Sequence, residues 1–171
     1  MAILKRAAQA AKILQSSLLF QQSQHIACYY PYKNEFDCLP IIQKIWQAKK
    51  NCYLPVLTQK TLGFAKYQEN TELQLNRYNI LEPSHKHFIV LENLDLVLLP
   101  LLGFDFQGNR LGMGAGFYDY TFQALRFMKK PFLLGLGYAV QHVSILPQDP
   151  WDVVLDGILT EKNLILLSDI I

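Results

Sequence analysis

The chain has 171 residues, of which 51% are hydrophobic and 18% charged, with a formal net charge of +2. That length and balance fit one domain with a sizeable core, and the small net charge excludes nucleic acid as the expected partner. No membrane span is expected, because the longest apolar run, Leu96 to Phe104, contains Pro100 and is about half the length required.

The first 34 residues contain Lys5, Arg6, Lys12 and Lys33 and no acid. They lack an uninterrupted apolar stretch and a cleavage-like break, so they read as a helix with a basic face rather than a targeting peptide. Ile3, Ala7, Ala10, Ala11, Leu14 and Leu18 recur at helical spacing and predict a helix over 2–21. Residues 25–30 (HIACYY) read as a buried strand ended by Pro31, with 32–35 as loop. Residues 37–50 predict a second helix: Pro40 suits its first turn, and Ile41, Ile42, Ile45, Trp46 and Ala48 form one apolar face. Residues 51–57 predict the next strand, with Pro55 marking where regular pairing stops.

Residues 62–67 alternate as an edge strand does, 69–80 give no clear signal, and Leu81-Glu82-Pro83 reads as rigid punctuation. His85 and His87 have no third metal ligand nearby and read as solvated loop. Residues 94–99 (LDLVLL) are nearly all apolar and predict a central strand covered on both faces. A helix is expected over 117–130, with Phe122, Leu125, Phe127 and Met128 for packing. A strand follows over 132–138, a helical turn over 140–146, a loop over 147–152, and a last strand or hairpin from 153–159 and 164–167. This alternation predicts an α/β fold: a mostly parallel sheet flanked by helices in Rossmann-like layers, one domain over 1–171. Cys28, Cys38 and Cys52 are odd in number and widely spaced, which predicts free thiols and a cytoplasmic location.

The stretch around which the chain is organised runs from Leu98 to Asp119. A buried strand ends at Pro100, a polar turn follows, and then Gly112, Gly114 and Gly116 stand at alternate positions before Phe117, Tyr118 and Asp119. Glycine carries the highest entropy cost of folding, so three in five residues imply positive φ or close approach. A glycine loop leading into a helix suits a phosphate, with Arg110 as a cation and Asp119 as a holder of magnesium. The spacing is GxGxG and matches neither the P-loop nor the dinucleotide pattern. From spacing alone, a phosphate site and a turn that packs strand on helix both remain open. Asp119 also reads as an acid that complements a helix dipole.

Residues 103–119 (GFDFQGNRLGMGAGFYD) resemble the signature of the 5-formyltetrahydrofolate cyclo-ligase family. Residues 30–37, Tyr53-Leu-Pro-Val-Leu57, Ile80-Leu-Glu-Pro83, residues 94–100, Gln141, Leu146-Pro147 and Trp151-Asp152 resemble further family motifs in the same order. The resemblance implies an α/β enzyme that uses MgATP to convert 5-formyltetrahydrofolate into 5,10-methenyltetrahydrofolate, ADP and phosphate. Its route would be phosphorylation of the formyl oxygen, with ATP and Mg2+ required and a monomer expected. Carried over residue by residue, Arg110, Leu111, Gly112, Met113, Gly114, Ala115, Gly116, Phe117 and Tyr118 would line ATP, with Arg110 and Tyr118 catalytic. Tyr30, Glu35 and Met113, Gly114, Ala115, Gly116 and Phe117 would contact the folate, and Asp119 and Asp152 would hold the metal. Three departures stand out. Ala115 occupies a position where the family has glycine or lysine, Tyr120 one where it often has arginine, and the family's first, basic helix has no counterpart. Lys5 and Arg6 do not match that helix's cations. The alternative implied by these departures is a folate- or nucleotide-binding relative with little or no turnover.

Overall fold

The computed structural model describes residues 2–169. In chain order it has helix α1 (Ala2–Gln15), α2 (Leu18–Gln22), strand β1 (His25–Ala27), α3 (Leu39–Gln47), β2 (Asn51–Leu57) and β3 (Leu62–Lys66). A hairpin of β4 (Leu73–Leu75) and β5 (Leu81–Pro83) follows, then β6 (Leu96–Pro100) and a second hairpin of β7 (Gly103–Phe104) and β8 (Arg110–Leu111). The chain ends with α4 (Phe117–Phe122), β9 (Phe132–Leu136), β10 (Gly157–Leu159) and β11 (Leu164–Leu166).

Seven strands form one sheet in the order β11-β10-β9-β6-β1-β2-β3. The inner pairs are parallel, and β3 and β11 close the two edges in antiparallel fashion. From β1 the chain steps outward to β2 and β3, then returns to the other side of β1 to lay down β6, β9 and β10. The order therefore reverses between β1 and β6, a switch point of the kind at which α/β sheets carry ligand sites.

Alternate residues of the inner strands face opposite layers. Ile26, Leu96, Leu98, Leu134 and Leu136 pack with Ala7, Ala10, Ala11 and Leu14 of α1 and Ile41, Ile42 and Ile45 of α3. Ala27, Val97, Leu99 and Leu133 face the other layer, where they meet Phe104, Phe122, Val153 and Leu155. Coverage on both faces explains why β6 carries no polar residue. At the opposite, N-terminal edge, Asp95 ties strand starts together. It accepts from the N–H groups of Gln24 and His25 at 2.9 and 2.8 Å and pairs with Lys130 at 2.7 Å.

Several boundaries differ from the sequence expectation for local reasons. The first helix breaks after Gln15, where Ser17 Oγ donates to Leu14 O and accepts from Phe20 N to cap α2; Ile3 and Leu18 are exposed. The β1 strand ends at Ala27, though Cys28 N still bonds Tyr53 O. Pro55 lies inside β2: pairing with β1 ends at Tyr53, but pairing with β3 runs on to Leu57. Leu81–Pro83 is a strand rather than punctuation. The helix expected over 117–130 ends at Phe122 and becomes a 3-10 turn at Gln123–Leu125. Thr121 Oγ1 bonds back to Phe117 O and accepts Leu62 N, and Pro131 disfavours helix before it. Phe127 is consequently 90% exposed and Met128 is exposed too, so neither packs. The turn expected over 140–146 shrinks to Ala139–Gln141. Residues 157–166 form the hairpin β10–β11, and residues 153–156 lie outside it.

Candidate active site

Two loops leave the C-terminal ends of the neighbouring strands β1 and β6 at this switch point. The loop after β1 carries Glu35. Its Oε2 accepts from Tyr32 N at 2.9 Å and its N–H donates to Tyr32 O at 3.1 Å, which folds residues 32–35 into a tight turn around Lys33 at φ 52°. Beneath this turn, Tyr29 Oη donates to Phe36 O at 2.7 Å and Cys38 Sγ donates to Tyr29 O at 2.6 Å. Burial pushes the Glu35 carboxyl above its ordinary range, an effect only partly opposed by the Tyr32 N–H. Tyr30 is in the same loop but packs against the helix-side core, close to Tyr67.

The loop after β6 is built on Asp105. This buried carboxylate accepts from Gln107 N, Asn109 N, Asn109 Nδ2 and Leu146 N at 2.9–3.0 Å. Burial alone would raise Asp105, but these bonds outweigh it and hold the group below the usual carboxylate range. The polar turn over 105–109 thus closes the β7–β8 hairpin and presents Arg110. The guanidinium donates from Nη1 to Pro100 O at 3.1 Å, and Cζ lies 5.4 Å from the centre of the Tyr118 ring. Its Nε is buried without a partner.

The three glycines serve different needs. A Cβ on Gly112 would stand 2.9 Å from Arg110 Nη1, so Gly112 makes room for the guanidinium. Gly114 and Gly116 have φ of 95° and 72° with open space around them, so backbone conformation alone requires them. Ala115 is absent from the positive-φ residues, which is the condition for alanine to be tolerated there. Leu111, Met113, Gly114 and Ala115 are exposed along this turn. Gly116 leads into α4, where Phe117 and Tyr118 are partly buried.

Tyr118 joins the two loops. Its phenol is raised above the ordinary value first by burial and then by the nearby Glu35 charge, with Arg110 opposing. Glu35 and Arg110 are therefore both within electrostatic reach of the Tyr118 phenol. Asp119 Oδ1 accepts Val153 N at 2.9 Å, which brings it beside the residue after Asp152, whose own Oδ2 accepts Asp149 N at 2.9 Å. Each carboxylate keeps one oxygen outside these bonds. No group of three or more His, Cys, Asp or Glu suited to a metal occurs among the described residues. His85 and His87 stack on each other, and His85 Nε2 bonds Lys66 O, so they do not converge on an ion.

Arg6 reaches the same edge, with Cζ 5.9 Å from the centre of the Tyr138 ring, which in turn packs on Phe36 at 4.5 Å. Lys5 is exposed. Tyr120 is exposed as well. Gln141, one of the motif residues quoted above, accepts Tyr138 N at 2.6 Å and donates to Leu101 O and Leu102 O, which ties the end of β9 to the segment between β6 and β7. One part of the site had no clear sequence signal. Tyr78, from the stretch without periodicity, meets Phe117 edge-on at 5.9 Å. Asp105 was legible only as part of a polar turn. The Asp105…Gly108-Asn109 spacing is the signal, since a short acid can bond main-chain N–H groups two and four residues on. A separate cleft of about 640 Å³, bordered by Trp46, Asn51 and Glu69, opens at the start of β2 on the edge away from these loops.

The model of the family described as "5-formyltetrahydrofolate cyclo-ligase family" matches residues 2–161. The chain is 41% identical over 145 residues to the 5-formyltetrahydrofolate cyclo-ligase of Haemophilus influenzae, covering 81% of this chain and 76% of that protein. With the protein of the same name from Escherichia coli K12 it shares 38% over 144 residues, covering 81% and 78%. The NMR structure of Aquifex aeolicus 5,10-methenyltetrahydrofolate synthetase superposes with a TM-score of 0.80 at 29% identity, covering 96% of this chain and 82% of that one. The family match spans nearly the whole chain. The chain belongs to the 5-formyltetrahydrofolate cyclo-ligase family.

Proposed function

We propose that the protein converts 5-formyltetrahydrofolate and ATP into 5,10-methenyltetrahydrofolate, ADP and phosphate. The observation that carries this reading is Arg110: its guanidinium is fixed by Pro100 O and the Tyr118 ring, and its buried Nε lacks an acceptor. Holding that donor unmet costs about 1–3 kcal/mol and fixes the guanidinium with Nη2 left for a phosphate oxygen. Beside it runs an exposed glycine turn with main-chain N–H groups open to an anion.

The chemistry calls for such a site. The formyl group is an amide whose oxygen is a poor leaving group. Attack of that oxygen on the γ-phosphorus expels ADP and leaves an N5 iminium phosphate. N10 then adds to the formyl carbon, the C–O bond breaks with its electron pair leaving on phosphate, and N10 loses its proton. Residues 110–118 are assigned to the ATP phosphates, and Met113 to Phe117 to the junction with the folate. Arg110 holds the transferring phosphoryl group and offsets its charge in the transition state. Tyr118, kept protonated by its raised value, is a neutral donor beside that charge. Glu35 accepts from the adjacent amino and amide donors of the pterin ring, and Tyr30 lines the same pocket.

Asp119 and Asp152 suit Mg2+, a hard ion that takes one or two carboxylates and fills its remaining positions with water and phosphate. When bound, it supplies neutralisation of the triphosphate charge. The three free cysteines, with Cys28 and Cys38 raised by burial and so inert, support a cytoplasmic setting. Nothing in the described sheet requires a second copy, and we assign a monomer.

The test is a steady-state assay of methenyl product in the near ultraviolet. Arg110→Met should lower kcat by roughly 10²–10³-fold while folate binding persists. Asp119→Ala should make turnover demand much more magnesium. Full turnover in Arg110→Met would refute the assignment.

A further inference from the structure

We propose that Arg77 binds the glutamyl carboxylate of the folate substrate, an inference that rests on the function proposed above. Arg77 stands at the tip of the β4–β5 hairpin. That tip is firmly built: Asn76 Oδ1 accepts Tyr78 N at 2.8 Å and Ile80 N at 3.2 Å, and Asn76 N donates to Ile80 O at 2.9 Å. Buried Glu82 anchors the hairpin to the C-terminal end of β2 by accepting Leu57 N at 2.9 Å. The tip therefore overhangs the same edge of the sheet as the glycine turn.

There the Arg77 guanidinium lies across two rings, with Cζ 5.3 Å from the centre of Tyr78 and 5.7 Å from that of Phe117. Stacking pre-orders the guanidinium without occupying its in-plane N–H donors. Its hydrogen bond within the chain is a long one, Nη2 to Gln59 O at 3.5 Å. Among the described residues the only ion pair is Lys130–Asp95, so no carboxylate neutralises Arg77. The result is a pre-ordered, solvent-facing fork resting on Phe117, the first residue of the helix α4 that the glycine turn leads into.

The substrate has a matching order of parts. Its pterin is assigned to Glu35, an aminobenzoyl ring comes next, and a glutamate with two carboxylates ends it. Strongly hydrated carboxylates favour the mouth of a site, where Arg77 is exposed. A transferring phosphoryl group favours the desolvated position, where Arg110 is. A planar guanidinium matches a carboxylate with two parallel N–H···O bonds.

The experiment measures equilibrium binding of 5-formyltetrahydrofolate and of 5-formyltetrahydropteroate, which lacks the glutamate, to the full chain and to Arg77→Met and Arg77→Lys. Arg77→Met keeps the aliphatic stem and removes the charge, and thermal melting verifies that each variant folds. The unaltered protein should bind the glutamate-bearing ligand about tenfold more tightly at low salt. That preference should vanish in Arg77→Met, persist in part in Arg77→Lys, and shrink as salt rises. An undiminished preference in Arg77→Met, or equal weakening toward both ligands, overturns the proposal. Because binding is read without turnover, a chain that shows the Arg77-dependent preference but makes no methenyl product refutes the proposed reaction alone.

Discussion

Glu35 holds its charge in a partly desolvated turn, and its raised proton affinity has a consequence for stability that differs in sign from that of most native carboxylates. The folded protein binds this proton more tightly than the unfolded chain does. Glu35 therefore subtracts from stability as pH rises from the ordinary carboxylate value of about 4.3 to above its folded value. Glu35→Gln should leave the melting temperature nearly unchanged near pH 4 and raise it at pH 7, while folate binding is lost. A lower melting temperature at pH 7 would show that the charge stabilises the unliganded fold. Gly112 gives a second prediction at this scale. In Gly112→Ala the new Cβ meets Arg110 Nη1 at 2.9 Å, and the guanidinium is held in place by Pro100 O. The Arg110 side chain must shift, so kcat should fall at least tenfold, an energy of about 1.4 kcal/mol in the barrier. Denaturant stability should change little, because the displaced group is the end of a side chain. A large loss of stability with normal kcat would contradict that reading of Gly112.

Among the elements, the turn over 105–109 governs the site more than the helix that follows it. Asp105 holds four N–H groups from Gln107, Asn109 and Leu146, and through them fixes both the β7–β8 hairpin and the segment leaving Gln141. Asp105→Ala should cost about 3 kcal/mol by urea denaturation, at roughly 1 kcal/mol for each net hydrogen bond and more for those left unmet. Its contribution is complete above about pH 3.9 and is lost as pH falls through the depressed folded value. The variant should also show a raised KM for ATP, since Arg110 follows this turn directly. An unchanged urea midpoint would contradict the role assigned to Asp105. The same element illustrates what periodicity can and cannot reveal. Uninterrupted apolar runs specify β6 and β9, because both of their faces are covered and nothing polar intrudes. Periodicity overruns over 117–130, because side-chain bonds of Thr121 and the restriction before Pro131 act against a helix that the apolar spacing favours. The β4–β5 hairpin left no alternating signal, since both of its strands are three residues long and β4 is largely exposed.

At the scale of the molecule, the alternation of helix and strand is sufficient to predict a mostly parallel sheet, and the order of strands supplies the rest. The reversal between β1 and β6 sends two loops that are distant in the chain, around Glu35 and Arg110, out from the C-terminal ends of neighbouring strands. Resemblance to family motifs named both residues. The residue types alone could not have joined them, because a loop acid and an arginine 75 positions apart carry no local signal of proximity. Tyr118 supplies the physical link, with a phenol that responds to both charges. The same topology leaves the β4–β5 hairpin anchored at the C-terminal end of β2, which is how Arg77 comes to lie over Phe117.

The proposed phosphorylation of a formyl oxygen at the expense of ATP moves one oxygen atom from the folate to phosphate. It is tested most directly by supplying 5-formyltetrahydrofolate labelled with oxygen-18 in the formyl group, together with MgATP, and analysing the phosphate released by the purified protein. Methenyl product should depend on ATP, with the heavy oxygen recovered in inorganic phosphate, one atom per turnover. Phosphate without the label, or methenyl product formed equally well without ATP, would contradict it.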